Sequence, residues 1–295
     1  MDLFAGKRVK QLKGFSQHPC YLAEDGTGRS VIKRFPLAEQ AKRREQLRVM
    51  ERLFMKGLPV QEVMCVQEEA PYLWVQLSWI EGEDLRSCKA SKTEADMYRL
   101  GREAGAMLRK LHDVKAPAEK IGWADRAWEK HLRYEAVCKE KKLTFSGIHK
   151  VSEWVKRHRH WMNRVPERLQ HDDFHLGNLL VSGGRLTGVI DFDNMDWGDP
   201  YHDFVKTALF QLDDSRAFAC GQIHRYFHDQ VPSAFWERYS LYTAMVLFSS
   251  LAWGQMFAPK EEEMTRRRID RALRDHHHFK QLKPAWYEEE DVWST

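Results

Sequence analysis

Residues 170–180, QHDDFHLGNLL, crowd two histidines, two aspartates and two amides in front of an apolar run, and GVIDFDNMDWGDP (188–200) brings further carboxylates soon after. Two chemistries suit these residue types. His171 and His175 are four apart and would share a helix face, as in zinc sites of the HExxH kind. Against that, Asp172 stands where the pattern needs Glu, and Gly177 with the strand-like NLLVSG leaves no room for the helix. The spacing from Asp173 to Asn178, followed by a hairpin ending in IDFD, suits phosphoryl transfer better. That reaction needs a polyphosphate held in place, its charge neutralised by Mg²⁺ and a hydroxyl aimed at the γ-phosphorus. Magnesium takes hard oxygen ligands, which Asn178 and Asp191 offer. Asp173, set apart from the metal, suits the base that takes the hydroxyl proton.

These groups must be carried on elements that the pattern also predicts. CYLAED and SVIKRF flank GTG, a hairpin signal, and PYLWVQLSWI reads as a buried strand. Between them AEQAKRREQLRVMERLFMKG (38–57) places Leu47, Met50, Leu53 and Phe54 on one helical face, with Gly57 as a stop. TEADMYRLGREAGAMLRKLHDV (93–114) is a helix with Thr93 at its N-cap. LLVSGG and LTGVIDF form a second hairpin within otherwise helical sequence. The expectation is an α+β chain: a small β-rich lobe over residues 1–77, a connector at 78–82, and a larger, mostly helical lobe over 83–295 that carries the catalytic loop.

The 295 residues are 43% hydrophobic and 31% charged, an ordinary globular balance. A net charge of +4 without strong clustering gives no case for nucleic acid, and KRHRHWMNR (156–164) reads as a solvated helix face. Cys20, Cys65, Cys88, Cys138 and Cys220 are scattered and form no CxxC pair, and the N-terminus lacks a signal-peptide core, so a cytoplasmic protein is expected. The run YSLYTAMVLFSSLAWGQMFAP (239–259) contains Ser, Thr, Gln and Gly, and reads as a buried helix with no membrane role. HHH at 276–278 reads as a surface helix end.

The segment 171–204 resembles the catalytic segment of the aminoglycoside phosphotransferase family, which also holds choline, homoserine and methylthioribose kinases. The match covers the H-x-D-x-H-x-G-N loop, the IDFD strand and the following GDP, in the family's order. The resemblance implies a bilobal protein-kinase-like fold and Mg²⁺-dependent transfer from ATP or GTP to a hydroxyl. It implies Lys33 at the α- and β-phosphates and Glu45 as its carboxylate partner, although Glu39 and Glu51 share that helix. Gly14 and Ser16 of GFSQH fall in the phosphate-covering loop, with one glycine and Gln17 departing from pattern. Ser78 and Ile80 of LSWIEG fall where backbone groups read the nucleobase. His171 and His175 become braces of the loop, and Asp193 a second candidate for the metal. Asp172 replaces a small residue; it either raises the pKa of Asp173, attracts a cationic substrate, points to solvent, or caps a neighbouring backbone N–H. Asp199 and Asp203 read as caps.

GDP follows Asp191 too closely for a peptide-docking segment, so the acceptor is expected to be a small molecule. An aminoglycoside-like antibiotic or amino sugar leads, met by acidic clusters at Asp213–Asp214, Glu261–Glu263 or Glu288–Asp291. A metabolic kinase of choline, homoserine or sugar type is the alternative, with Trp197, Trp236 and Trp253 as aromatic candidates. A nucleotide-binding pseudo-kinase without turnover is a third reading, opposed by the joint presence of Lys33, Asp173, Asn178 and Asp191.

Overall fold

The computed structural model describes residues 3–12, 18–120, 122–257, 259–290 and 292–293. In chain order its elements are β1 (Arg8–Leu12), β2 (Cys20–Asp25), β3 (Gly28–Pro36), α1 (Gln40–Met55), β4 (Val63–Glu69), β5 (Tyr72–Ser78), β6 (Glu83–Asp84) and a short α2 (Leu85–Cys88). Then follow α3 (Glu94–Leu111), α4 (Trp123–Glu140), α5 (Ile148–His158), β7 (Arg168–Gln170), β8 (Leu179–Ser182), β9 (Arg185–Val189) and β10 (Asp196–Gly198). The chain ends in α6 (Leu212–Asp214), α7 (Arg216–Tyr226), α8 (Ser233–Phe257) and α9 (Glu262–Asp275). Two compact units result, residues 1–85 with 177–194, and residues 86–176 with 195–295.

The first unit is built on an antiparallel sheet ordered β1-β2-β3-β5-β4. The hairpin expected at GTG closes with Asp25 opposite Gly28. β5 alternates half-buried and buried residues, with Leu73, Val75 and Leu77 inward, as a strand with one covered face should. The central strand β3 is buried on both faces: Ile32 packs with Ala23, Tyr21 and Trp74 on one side, while Lys33 and Phe35 share a small cavity with α1 on the other. α1 offers that cavity Arg43, Gln46, Leu47 and Met50, the i, i+3, i+4, i+7 stripe of one helical face.

One expectation about organisation needs correction. The hairpin β8–β9 was expected within the helical lobe of residues 83–295, yet it groups with the first unit. The cause is long-range strand pairing: β6 pairs with β8, Glu83 opposite Val181, and Val60 forms a parallel bridge to Val189. Gly82, at φ +144°, makes this possible, because a Cβ there would lie 2.8 Å from the Val181 carbonyl oxygen.

The second unit is helical. Thr93 caps α3 in a reciprocal box, its hydroxyl accepting from the Asp96 N–H while the Asp96 carboxylate accepts from the Thr93 N–H. α3 and α7 pack backbone to backbone at small residues: a Cβ on Gly101, Gly105 or Gly221 would meet a carbonyl oxygen of the other helix at 2.2–2.3 Å. A larger core joins α4, α5, α8 and α9 through Trp123, Val155, Leu247, Phe248, Ile269 and Leu273. The apolar run at 239–259 forms most of α8 and is largely buried here, and no helix among the described residues is long and apolar enough to cross a membrane. Trp197 and Trp236 are core residues, whereas Trp253 is 44% exposed. Of the three consecutive histidines only His277 and His278 are exposed; His276 is buried after the end of α9, with Nδ1 against the Gln281 carbonyl.

The tight crossing of α3 and α7 makes a direct prediction. Gly101→Val forces the helices apart and should destabilise the protein by about 2–3 kcal/mol, in the range of overpacked cores. Urea denaturation of the variant beside the parent measures it; an unchanged midpoint would contradict the packing.

Candidate active site

In the first unit the chemistry centres on a buried cation. Lys33 lies on β3 with its side chain 11% exposed, and its ammonium donates to Asp191 Oδ1 at 2.9 Å and meets Asp193 Oδ1 at 3.0 Å. Burial by itself would push the lysine pKa down; the two carboxylates outweigh it and push it up, so the ammonium stays charged. Asp191 sits at φ +67°, a left-handed conformation costly for a residue with a Cβ and one that turns the chain sharply after β9. The Ile190 N–H donates to the Asn178 carbonyl at 3.0 Å, which ties Asn178 to the residue just before Asp191. Three oxygen-bearing side chains, of Asn178, Asp191 and Asp193, thus belong to one short stretch of the unit.

The helix α1 secures this stretch in a way not read from the sequence. Arg43, buried, donates to the Asp193 carbonyl at 3.1 Å, and Gln46 donates to the same oxygen at 2.9 Å. Arg43 is held in turn by Glu39 at 2.6 and 3.0 Å, by Gln46 at 2.9 Å and by the ring of Phe35. His18 Nε2 lies 2.9 Å from the same guanidinium. Glu45, expected to fix Lys33, is half-buried one position before Gln46, and a helix turns about 100° per residue. Two carboxylates that hold Lys33 come from the segment after β9. Gly14 and Ser16 lie outside the described residues. The N–H of Ser78 donates to the Glu62 carbonyl and its own carbonyl accepts from Gln61, both at 2.9 Å, so its peptide groups are already engaged. Ile80 packs where Gly188 has no side chain; a Cβ on Gly188 would come within 2.8 Å of it.

In the second unit the loop 171–175 is organised by one carboxylate. Asp203 is buried and accepts from His112 Nε2 at 2.9 Å, from the His171 N–H at 2.9 Å and from the Asp172 N–H at 2.6 Å. Asp203, expected as a cap, is therefore a brace of the loop 171–175. His171 accepts from the Asp173 N–H at 3.3 Å. β7 pairs with β10, and Gln170, just before the loop, donates to the Asp199 carbonyl at 2.6 Å. Asp199 is the expected cap, accepting from the Tyr201 N–H at 3.0 Å, and also receives Arg238 and the Tyr242 hydroxyl.

Asp173 Oδ1 stands 2.9 Å from Lys206 Nζ and 3.5 Å from His175 Nε2. Burial would raise the Asp173 pKa, but Lys206, by its charge and hydrogen bond, together with His175 and His171 more than compensates and lowers it, leaving a carboxylate at neutral pH. Burial takes His175 down to about 4, so its ring is neutral there. Asp172 adopts φ +55°, where a small residue or an Asp is best tolerated. Its carboxylate lies 3.0 Å from His202 Nδ1, out of line for a hydrogen bond, and 4.0 Å from Lys130 Nζ. Burial opposes its ionisation, yet His202 and Lys130 hold its pKa well below the ordinary value. The net shift of Asp173 beside it is nevertheless downward. Lys206 was missed in the sequence. The only signal was its position three residues after Asp203, one helical turn on.

Several acidic residues of this unit already have basic partners. Asp214, with its side chain 6% exposed, pairs with Arg86 and Lys89, and Asp213 pairs with Arg268 and Arg271. Glu262 and Glu263 make i, i+4 pairs with Arg266 and Arg267 on the surface, and Glu288 pairs with Arg216.

The phosphotransferase enzyme family matches the chain over residues 8–242. A comparison with curated proteins finds no match. Among solved structures, a thermostable mutant of aminoglycoside phosphotransferase APH(4)-Ia in complex with ADP and hygromycin B is similar at 16% identity and TM-score 0.64, covering 92% of this chain and 95% of that one. The gentamicin complex of APH(2")-IIa is similar at 17% identity and TM-score 0.63, covering 92% of each chain. A candidate fructosamine-3-kinase from Haemophilus somnus 129PT is similar at 15% identity and TM-score 0.62, covering 90% and 91%. At these identities the likeness is one of fold.

Two outcomes follow from the loop's geometry. Asp203→Ala leaves His112 and two loop N–H groups without their acceptor and should cost about 3–5 kcal/mol of stability, read by chemical denaturation. Asp172 and Asp173 have lowered pKa values in the folded chain. Their contribution is fully present above the unfolded carboxylate pKa of about 4 and is lost as pH falls through the lower folded values. Unfolding free energy should drop on acidification below about pH 5, and Asp172→Asn should make that drop shallower.

Proposed function

From the premise that this chain belongs to the phosphotransferase enzyme family, we propose that it transfers the γ-phosphate of ATP or GTP to a hydroxyl group of a small molecule. The observation that carries this reading is the ammonium of Lys33 held at 2.9 and 3.0 Å by Asp191 and Asp193 in the unit that also carries Asn178. A lysine so placed is poised to exchange carboxylate oxygens for phosphate oxygens. The donor set fits Mg²⁺: all ligands are hard oxygens, and Asp193 Oδ2 is buried without a hydrogen-bond partner among the described residues. Asn178 and Asp191 would hold the ion, with Asp193 beside them, and the bound metal supplies charge neutralisation to the polyphosphate.

This chain's residues do the rest. Lys33 binds the phosphates, and the peptide groups around Ile80 are the edge offered to the nucleobase, since those of Ser78 are engaged. Asp173, kept ionised by Lys206, accepts the proton of the acceptor hydroxyl. As that proton leaves, the acceptor oxygen bonds to the γ-phosphorus and the bond to the β-phosphate oxygen breaks, releasing the nucleoside diphosphate. Two acceptor classes compete: an aminoglycoside-like antibiotic or amino sugar, the first suggested by the neighbours named with hygromycin B and gentamicin, and a metabolic hydroxyl compound of choline, homoserine or sugar type. The occupied state of Asp213 and Asp214 favours the second, since the acidic residues a polycation would use are already neutralised.

Release of the nucleoside diphosphate with Mg²⁺ and ATP or GTP, measured across sugars, choline, homoserine and aminoglycosides, tests the reading. Asp173→Ala should lose about a hundredfold or more of kcat, and a fully active variant rejects the mechanism. Asp191→Ala should abolish the rise in melting temperature that the Mg–nucleotide gives the parent protein.

A further inference from the structure

Lys206 is fixed in place from both sides. Before it, Asp203 accepts the two loop N–H groups of His171 and Asp172. After it, residues Thr207–Gln211 form a π-helical turn, in which the Thr207 hydroxyl donates to the Gln211 amide oxygen at 2.9 Å. The Gln211 amide then donates to the Phe174 carbonyl at 3.1 Å, on the far side of Asp173. The segment 203–211 thus grips the loop at 171, 172 and 174, and the ammonium of Lys206 meets the carboxylate of Asp173 between them. The Lys206 Nζ also lies 5.3 Å from the ring of Phe210, on which Arg268 stacks at 4.6 Å. Single-turn π-bulges of this kind are rare and concentrate at functional sites.

The charge at this end of the unit is consequently settled before any acceptor arrives. Asp173 has Lys206, and Asp172 has Lys130 at 4.0 Å. Asp213 and Asp214 have two arginine or lysine partners each. A polycationic acceptor approaching Asp173 would meet the Lys206 ammonium and carboxylates already paired. A hydroxyl compound without positive charge meets no such repulsion.

We propose that Lys206 is a specificity-determining residue that directs the Asp173 base toward neutral or anionic hydroxyl compounds, of sugar or hydroxy-acid type, and turns away polycationic amines. This rests on the phosphotransfer reading for its acceptor site, but its test does not need turnover. Specificity of this kind comes as much from a repulsive element as from an attractive one, and one like charge a few ångströms away in a partly exposed site is worth about tenfold in affinity.

The experiment is calorimetric binding of gentamicin and of gluconate to the full chain saturated with Mg²⁺ and AMP-PNP, using the parent protein, Lys206→Gln and Lys206→Arg. Gentamicin should bind Lys206→Gln about tenfold more tightly than the parent, with the gain shrinking as salt is raised, while Lys206→Arg stays at the parent value. Gluconate should weaken or stay unchanged in Lys206→Gln. Equal gentamicin affinity for the parent and Lys206→Gln overturns the proposal. Lys206→Arg, which retains the charge, separates this role from a merely structural one. Absence of nucleotide turnover with every acceptor would count against the phosphotransfer reading alone, because the binding comparison among the three proteins still decides the role of Lys206.

Discussion

A single buried carboxylate, that of Asp203, orders the loop 171–175. Three donors converge on it, one from the His112 ring and two from loop peptide groups. Buried polar groups are expensive unless satisfied, so the loop N–H groups and the carboxylate each require the other. The conformation that satisfies them puts Asp172 at positive φ, which in turn sets the direction of the chain into Asp173. His112 comes from the end of α3, so the site inherits the position of that helix, and α3 is set by its close glycine-lined packing against α7.

The first unit obeys the same rule with the signs reversed. A lysine on a central strand would be excluded from a core unless paired, and Asp191 and Asp193 pair it. Arg43 is more deeply committed still, since it spends its donors on Glu39, Gln46 and a main-chain carbonyl while lying on Phe35. That clamp fixes the backbone of Asp193 and leaves its carboxylate to face Lys33. The helix therefore acts on the lysine through the segment after β9.

Charge pairing also shapes what the helical unit can recognise. Acidic residues look alike in a sequence whether they face water, an arginine or a ligand. Here Asp213 and Asp214 hold α9 and the start of the helical unit through Arg268, Arg271, Arg86 and Lys89. Glu262 and Glu263 make exposed one-turn pairs of the sort that contribute little. Trp197 and Trp236 serve the core. The features that first suggested a cationic ligand are thus mostly structural.

Local pattern carried much of the fold. The GTG hairpin, the stripe of α1, the Thr93 cap and the order of the Asp173, Asn178 and Asp191 motifs were all legible, because periodicity, turn chemistry and close spacing are properties of short stretches. The family match over residues 8–242 agrees with that order. What the sequence could not rank was choice among equivalent partners: Glu45 or Asp193 for Lys33, a solvent-facing or paired Asp172, and a lysine for Asp173. Each is decided by contacts between residues distant along the chain, as 158 positions separate Lys33 from Asp191. The residue types and their spacing determined which chemistry was available. Only the tertiary structure decided which charges were already neutralised, because pairing depends on where the fold brings side chains together in space.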